Sequence, residues 1–197
     1  MMKKIGIFAG TFDPIHEGHL AFARMALEHG IEKVMFLPEP RPRRKQGVRA
    51  LEHRVAMVRL AIEHEPHFGM IILEQARFTM YETLPVLHAR FPGHTLVLLF
   101  GDDVVDHIAS WTNIEALVYD VELLIASRHK EVEDLKTKLN MLQQVTNIKF
   151  NWQIVYPARE NISSSVIRRE LKRHQKVTSV PAVVQNYLKK NKLYTEH

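Results

Sequence analysis

The chain has 197 residues, 46% hydrophobic and 25% charged, with a formal net charge of +5 and a pI near 9.5. Those proportions exclude a disordered chain, allow a substantial core and favour anionic partners, whether nucleotides or nucleic acid. The absence of cysteine excludes disulfides, thiolate nucleophiles and Cys-ligated zinc together, and no apolar run approaches the ~20 residues that span a bilayer, so a cytoplasmic protein without a membrane partner is expected.

Ile5, Ile7 and Phe8 read as a buried strand, followed by Ala9-Gly10-Thr11 and a helical pattern from Gly18 to about His29, with Gly30 as stop signal. Strand, small-residue turn and helix start together build a phosphate site. Gly10 has no Cβ to hold a ligand off the backbone, and the N–H groups opening the helix lie at the positive end of its dipole. His16 and His19, three apart across that start, can face one ligand together. An imidazole N–H donates to a phosphate oxygen, and an imidazolium stabilises charge growing on phosphoryl oxygens. A surface pair or half of a metal site is the plainer alternative for such a doublet.

Lys33 to Leu37 is a second strand, ended by Pro38. Between Pro38 and Gly47, three prolines forbid regular structure, and Arg41 to Lys45 sets four cations within five residues. This basic loop suits either solvent or closure over phosphate. Leu51, Val55, Val58 and Ile62 mark a helix that reads as scaffold, with His53 and Arg54 near its start. Met70 to Leu73 is a third strand. A helix from about Glu82 to Phe91 buries Leu84, Leu87 and Phe91 and tolerates Pro85 in its first turn.

Thr95 to Phe100 is apolar at nearly every position, as a central parallel strand covered on both faces should be. It runs into Gly101-Asp102-Asp103, placing carboxylates at the sheet edge where open α/β folds take ligands, although Asp102 also suits a helix cap. Glu122 to Ala126 and Gln153 to Tyr156 are further strands, separated by a helix marked by Val132, Leu135, Leu139 and Leu142. Ser163, Ser164 and Ser165 then open a helix, as caps or as phosphate donors, with Arg168 one turn along. Val183, Val184, Tyr187 and Leu188 mark a last docking helix behind Pro181. Alternating strands and helices predict an α/β fold, a Rossmann-like doubly wound parallel sheet with helices on both faces. A single domain over 1–197 is expected, its C-terminal helical portion from about 163 packed on the sheet.

The run Gly10-Thr-Phe-Asp-Pro-Ile-His-Glu-Gly-His19 resembles the signature of the nucleotidyltransferase superfamily that carries H-x-G-H, and Ile162-Ser-Ser-Ser-Val-Ile-Arg168 resembles its companion I-S-S-T-x-I-R. Within that superfamily the chain is similar over almost its whole length to the bacterial nicotinate-nucleotide adenylyltransferases. His53-Arg54 with Met57 matches their H-R-x-x-M, and Gly101-x-Asp103 with Trp111 matches their G-x-D and downstream tryptophan. Val180-Pro181, Tyr187 and Leu193-Tyr194 are similar too.

The resemblance implies adenylyl transfer from ATP to nicotinate mononucleotide, preferred over the nicotinamide form, with Mg²⁺ carried on ATP and no metal site of the protein's own. It implies catalytic roles for His16, His19 and Arg168. ATP contacts fall to Gly10, Thr11, Phe12, His16, His19, Ser164, Ser165 and Arg168. Mononucleotide contacts fall to Lys45, Tyr81, Thr83, Asp103 and Trp111, whose indole can stack on a pyridine ring. ATP and a pyridine mononucleotide are then the partners, an oligomer is left open, and nucleic acid is disfavoured because no RNP-type aromatic pair is present.

Three departures touch the acceptor side. Pro42-Arg43-Arg44-Lys45 stands where the family reads P-P-H-K, Met80-Tyr81-Glu82-Thr83 stands for T-x-x-T unless Thr79 compensates, and Arg128-His129-Lys130 stands for R-P-G. The rival readings are the same transfer to another phosphorylated acceptor such as phosphopantetheine, a cytidylyl transfer, and a nucleotide- or RNA-binding protein without turnover.

Overall fold

Among the described residues six strands form one parallel sheet: β1 (Lys3–Gly10), β2 (Lys33–Pro38), β3 (Phe68–Met70), β4 (His94–Gly101), β5 (Val121–Ala126) and β6 (Asn151–Val155), in the order β3-β2-β1-β4-β5-β6. The computed structural model describes residues 2–42, 45–108, 114–118, 121–127, 132–158 and 162–195. Seven α-helices lie among them: α1 (Glu17–Glu28), α2 (Leu51–Ile62), α3 (Thr83–Arg90), α4 (Val105–Ile108), α5 (Val132–Thr146), α6 (Ser164–Lys172) and α7 (Ala182–Lys190).

The period of two along a strand sends successive side chains to opposite faces, and β4 shows it plainly. Val97 and Leu99 enter one core with Phe22 and Ala26 of α1, Met57 and Val58 of α2, and Val184 and Leu188 of α7. Leu96, Leu98 and Phe100 enter the other with Leu84 and Leu87 of α3 and Leu135, Leu139 and Leu142 of α5. Both faces are covered, which is why the strand reads as continuously apolar, and the expected doubly wound α/β sheet is the observed one.

Strand order reverses between β1 and β4, which pair through Ile7 and Leu98. Connections from these neighbours leave toward opposite faces of the sheet, so a crevice opens beyond their carboxyl ends at Gly10 and Gly101. The third strand is displaced from its expected place. It covers Phe68–Met70, and Ile71 and Leu73 are buried against α3 rather than in the ladder, apart from one bond from Ile71 N–H to the Phe36 carbonyl at 2.8 Å. Burial by a helix and burial by a strand neighbour leave the same apolar mark on a short run.

Candidate active site

A cleft of about 850 Å³ occupies the crevice, walled by the turn after β1, the loop after β2, residues 78–81, the end of β4 and the start of α6. Of the residues singled out from the sequence, Gly10, Thr11, Phe12, His16, His19, Lys45, Tyr81, Asp103, Ser164, Ser165 and Arg168 all line it. Thr83 does not. Trp111, Arg43, Arg44 and Arg128-His129-Lys130 lie outside the described residues.

The turn after β1 is held in an uncommon shape. Phe12 sits at φ +50, in the left-handed region that non-glycine residues rarely enter, and its ring is buried against Phe8, Phe36 and His19. A Cβ on Gly10 would come within 2.8 Å of that ring. Gly10 is therefore needed as space for the Phe12 ring. Arg54, 1% exposed, fastens the outside of the turn by donating to the carbonyls of Thr11 and Arg49 at 2.9 Å and of Pro40 at 3.1 Å.

His16 is the N-cap of α1, with extended backbone at φ −146, and its N–H donates to Nδ1 of His19 at 3.2 Å. The two rings stack with centroids 3.6 Å apart. An Nδ1 that accepts from the backbone leaves the proton of a neutral imidazole on Nε2, so His19 carries a donor suited to an anionic oxygen. Two of the helix-start N–H groups are already engaged, Glu17 with the Ser179 carbonyl and His19 with that of His16, both at 2.9 Å. Fewer backbone donors are therefore left at this helix start, and the imidazoles stand beside those that remain.

The three serines divide the work at α6. Ser163 Oγ caps the helix by accepting from Ser165 N–H, Ser164 Oγ donates to the Pro14 carbonyl at 3.0 Å, and Ser165 Oγ accepts from Arg168 Nη2 at 3.3 Å. A hydroxyl has one proton, and that of Ser164 is engaged by the Pro14 carbonyl, so toward the cleft this residue offers its backbone N–H at the helix start. Arg168 Nη1 donates to the Asp13 carbonyl at 2.7 Å, which ties α6 to the turn after β1 across the cleft floor. Asp13, 2% exposed, stands behind Arg168 with a carboxylate oxygen 3.8 Å from Nη1.

On the opposite wall Lys45 Nζ donates to Thr11 Oγ1 at 2.9 Å. Desolvation by the surrounding walls holds this ammonium below the ordinary lysine pKa, against the opposing pull of Asp103 and then Glu39. Glu39 also lines the cleft and accepts the Phe78 N–H at 3.1 Å, joining the loop after β2 to residues 78–81.

Thr83 is fully buried, and its Oγ1 accepts from the Thr79 N–H at 3.0 Å. In this structure its side chain supports the loop and does not face the cleft. Thr79 is its counterpart: Thr79 Oγ1 accepts from Glu82 N–H and its carbonyl from Thr83 N–H, each at 3.0 Å. Thr79 and Thr83 thus form a hydrogen-bonded pair one residue wider than the family's T-x-x-T. Among the described residues the N–H groups of Met80 and Tyr81, on the cleft wall, donate to no protein acceptor.

Asp13, Glu39, Arg54, Phe78 and Tyr194 were not assigned to the site from the sequence. An Asp within the signature and an Arg after His53 were the available signals, but what they touch lies far away along the chain.

A histidine pair at a strand-to-helix turn, facing a serine-capped helix with an arginine one turn in, over the switch point of a parallel sheet, defines a nucleotidyltransferase site. Residues 7–170 match the cytidylyltransferase-like family model. The chain is 31% identical over 210 residues to nicotinate-nucleotide adenylyltransferase of Bacillus subtilis, covering 98% of this chain and 99% of that one. It is 33% identical over 204 residues, with the same coverage, to a probable nicotinate-nucleotide adenylyltransferase of Neisseria meningitidis. The chain belongs to the cytidylyltransferase-like family and, within it, to the nicotinate-nucleotide adenylyltransferases. Two structures of Plasmodium falciparum nicotinic acid mononucleotide adenylyltransferase, complexed with NaAD and with APC, share its fold, with TM-scores of 0.77 and 0.75 at 21% identity over 98% of this chain and 97% of each of those.

Proposed function

We propose that this enzyme transfers the adenylyl group of ATP to the phosphate of nicotinate mononucleotide, giving the deamido-NAD dinucleotide and pyrophosphate in NAD biosynthesis, in the cytoplasm. The observation that carries this reading is a match of 31% identity covering 98% of the chain to a protein named for that activity, with both signatures facing one cleft.

A phosphate oxygen of the mononucleotide attacks the α-phosphorus of ATP in line, and the bond to the bridging oxygen breaks as pyrophosphate leaves. No group of the protein forms a covalent intermediate. The cleft acts by position and charge: His19, through Nε2–H, and His16 stabilise the transferring phosphoryl oxygens, while Arg168 and the α6 N-terminus hold the departing pyrophosphate. Mg²⁺ arrives with ATP as part of the substrate and neutralises polyphosphate charge. Phosphate oxygens and water are the donors assigned to the ion.

On the acceptor side, Lys45 provides a cation for the mononucleotide phosphate and Asp103 an acceptor for its sugar hydroxyls, with Trp111 assigned to the pyridine ring. The Met80 and Tyr81 N–H groups offer donors without acceptors beside them, a setting that favours a carboxylate, which only accepts, over an amide.

Pyrophosphate release with ATP and either nicotinate or nicotinamide mononucleotide, at one ionic strength, tests the reading. A clear preference in kcat/KM for the nicotinate form is expected. Preference for the amide overturns the acceptor assignment, and release with neither overturns the transfer.

A further inference from the structure

We propose that Tyr194, in the segment after α7, is a positioning residue for adenylyl transfer: its hydroxyl orients the Asp13 carboxylate, which in turn holds Arg168 facing the cleft. The inference rests on the reading of Arg168 as a ligand of the ATP phosphates.

Tyr194 lies 181 positions from Asp13 in sequence, yet its O–H donates to Asp13 Oδ1. The ring is 2% exposed, and the backbone beneath it sits at φ +61, a conformation that a bulky residue adopts only when its surroundings impose it. The guanidinium carbon of Arg49 lies 5.2 Å from the ring centroid, and the Arg49 N–H is the second donor to Asp13 Oδ1, at 3.4 Å. Burial and the Asp13 contact push the phenol well above its ordinary value of 10.0, so the proton stays on Tyr194 throughout the working pH range.

With Oδ1 engaged, the second oxygen, Oδ2, is buried and accepts no hydrogen bond among the described residues. It faces Arg168 Nη1 at 3.8 Å, too far for a hydrogen bond and close enough for strong attraction. The same Nη1 is kept on the Asp13 backbone carbonyl, and Nη2 on Ser165. Arg168 is thereby drawn toward the protein without closing into a two-pronged pair with the carboxylate, and its remaining donors stay available to a phosphate. A carboxylate released from Tyr194 would turn to the nearest cation for its lost hydrogen bond, and Arg168 would close onto it and leave the phosphates.

The test is a double-mutant cycle on the full chain with Tyr194→Phe, which keeps the ring and its packing, and Arg168→Ala, reading kcat, KM for ATP, KM for the mononucleotide and Tm. Tyr194→Phe alone should raise the ATP KM roughly tenfold and leave the mononucleotide KM within about twofold. In the Arg168→Ala background the same change should move the ATP KM by no more than about twofold, because the path it acts through is gone. Asp13→Asn, which still accepts from Tyr194 but lacks the charge behind Arg168, should also raise the ATP KM, and it gives a second reading where Tyr194→Phe folds poorly. Equal effects of Tyr194→Phe in both backgrounds, or a lowered Tm with unchanged ATP KM, make Tyr194 a structural anchor and overturn the proposal. An ATP KM indifferent to Arg168→Ala overturns the Arg168 assignment itself, an outcome distinct from failure of the Tyr194 link alone.

Discussion

His19 accepts the backbone N–H of His16 on Nδ1 at 3.2 Å while the two imidazoles stack 3.6 Å apart, so one residue sets the tautomer and orientation of the other. The pair is one device with two different supports. His16 is 5% exposed, whereas His19 is half-buried on the cleft wall with the Phe8 and Phe12 rings turned toward it.

His19→Ala should lower kcat by about 10²–10³, the usual cost of removing a charge-stabilising donor, with a much smaller effect on Tm. His16→Ala should cost turnover and also about 1–3 kcal/mol of stability, since a buried ring leaves a cavity. Steady-state kinetics beside urea unfolding separates the two. Normal turnover in both variants would remove the phosphate site from this turn.

Lys45 ties activity to pH. Its pKa in the folded chain lies below 10.5 because desolvation outweighs the nearby carboxylates. The unfolded chain therefore keeps that proton to higher pH than the folded one. Lys45 opposes folding below its depressed value, and the opposition fades as the pH rises toward 10.5. A bound phosphate favours the ammonium, so the mononucleotide KM should climb as the pH passes through the depressed value, earlier than an ordinary lysine would bring it. Lys45→Arg should abolish that alkaline limb. Lys45→Met should raise the mononucleotide KM and leave Tm at neutral pH unchanged or higher. A limb that persists in Lys45→Arg belongs to another group.

Arg54 gives a prediction about scaffold rather than chemistry. Its guanidinium serves three carbonyls from three positions in the chain, Thr11, Pro40 and Arg49. Arg54→Met should destabilise the fold by about 3–5 kcal/mol, leaving these carbonyls without their donor, and should weaken both substrates together because both loops hang on the same side chain. Arg54→Lys should recover little, since an ammonium cannot span the fork. Denaturant unfolding with binding of each substrate measures both effects, and a selective loss of one substrate would place Arg54 in that half of the cleft instead.

How far the site could be read from the sequence depends on how far apart its parts lie along the chain. The histidine pair and the serine-capped helix are contiguous strings, and a strand-turn-helix pattern with its donors can be recognised residue by residue. The parallel sheet was legible for the same reason, because alternation in amphipathic strands and continuous apolarity in β4 are local marks of burial. The burial of Thr83 was not legible, because a threonine that holds a turn and a threonine that faces a cleft are the same letter at the same position.

The sequence by itself determined the order of strands and helices, the histidine-bearing turn after β1 and the serine-capped start of α6, since each follows from neighbours within a few residues. Only the tertiary structure decided that Gly10 makes room for Phe12, that Arg54 joins three carbonyls, that Ser164 spends its proton on Pro14 and that Tyr194 reaches Asp13. Those are choices of partner between distant segments. They are settled by which hydrogen bonds and ring contacts survive when the sheet closes and water leaves, and no local pattern records that competition.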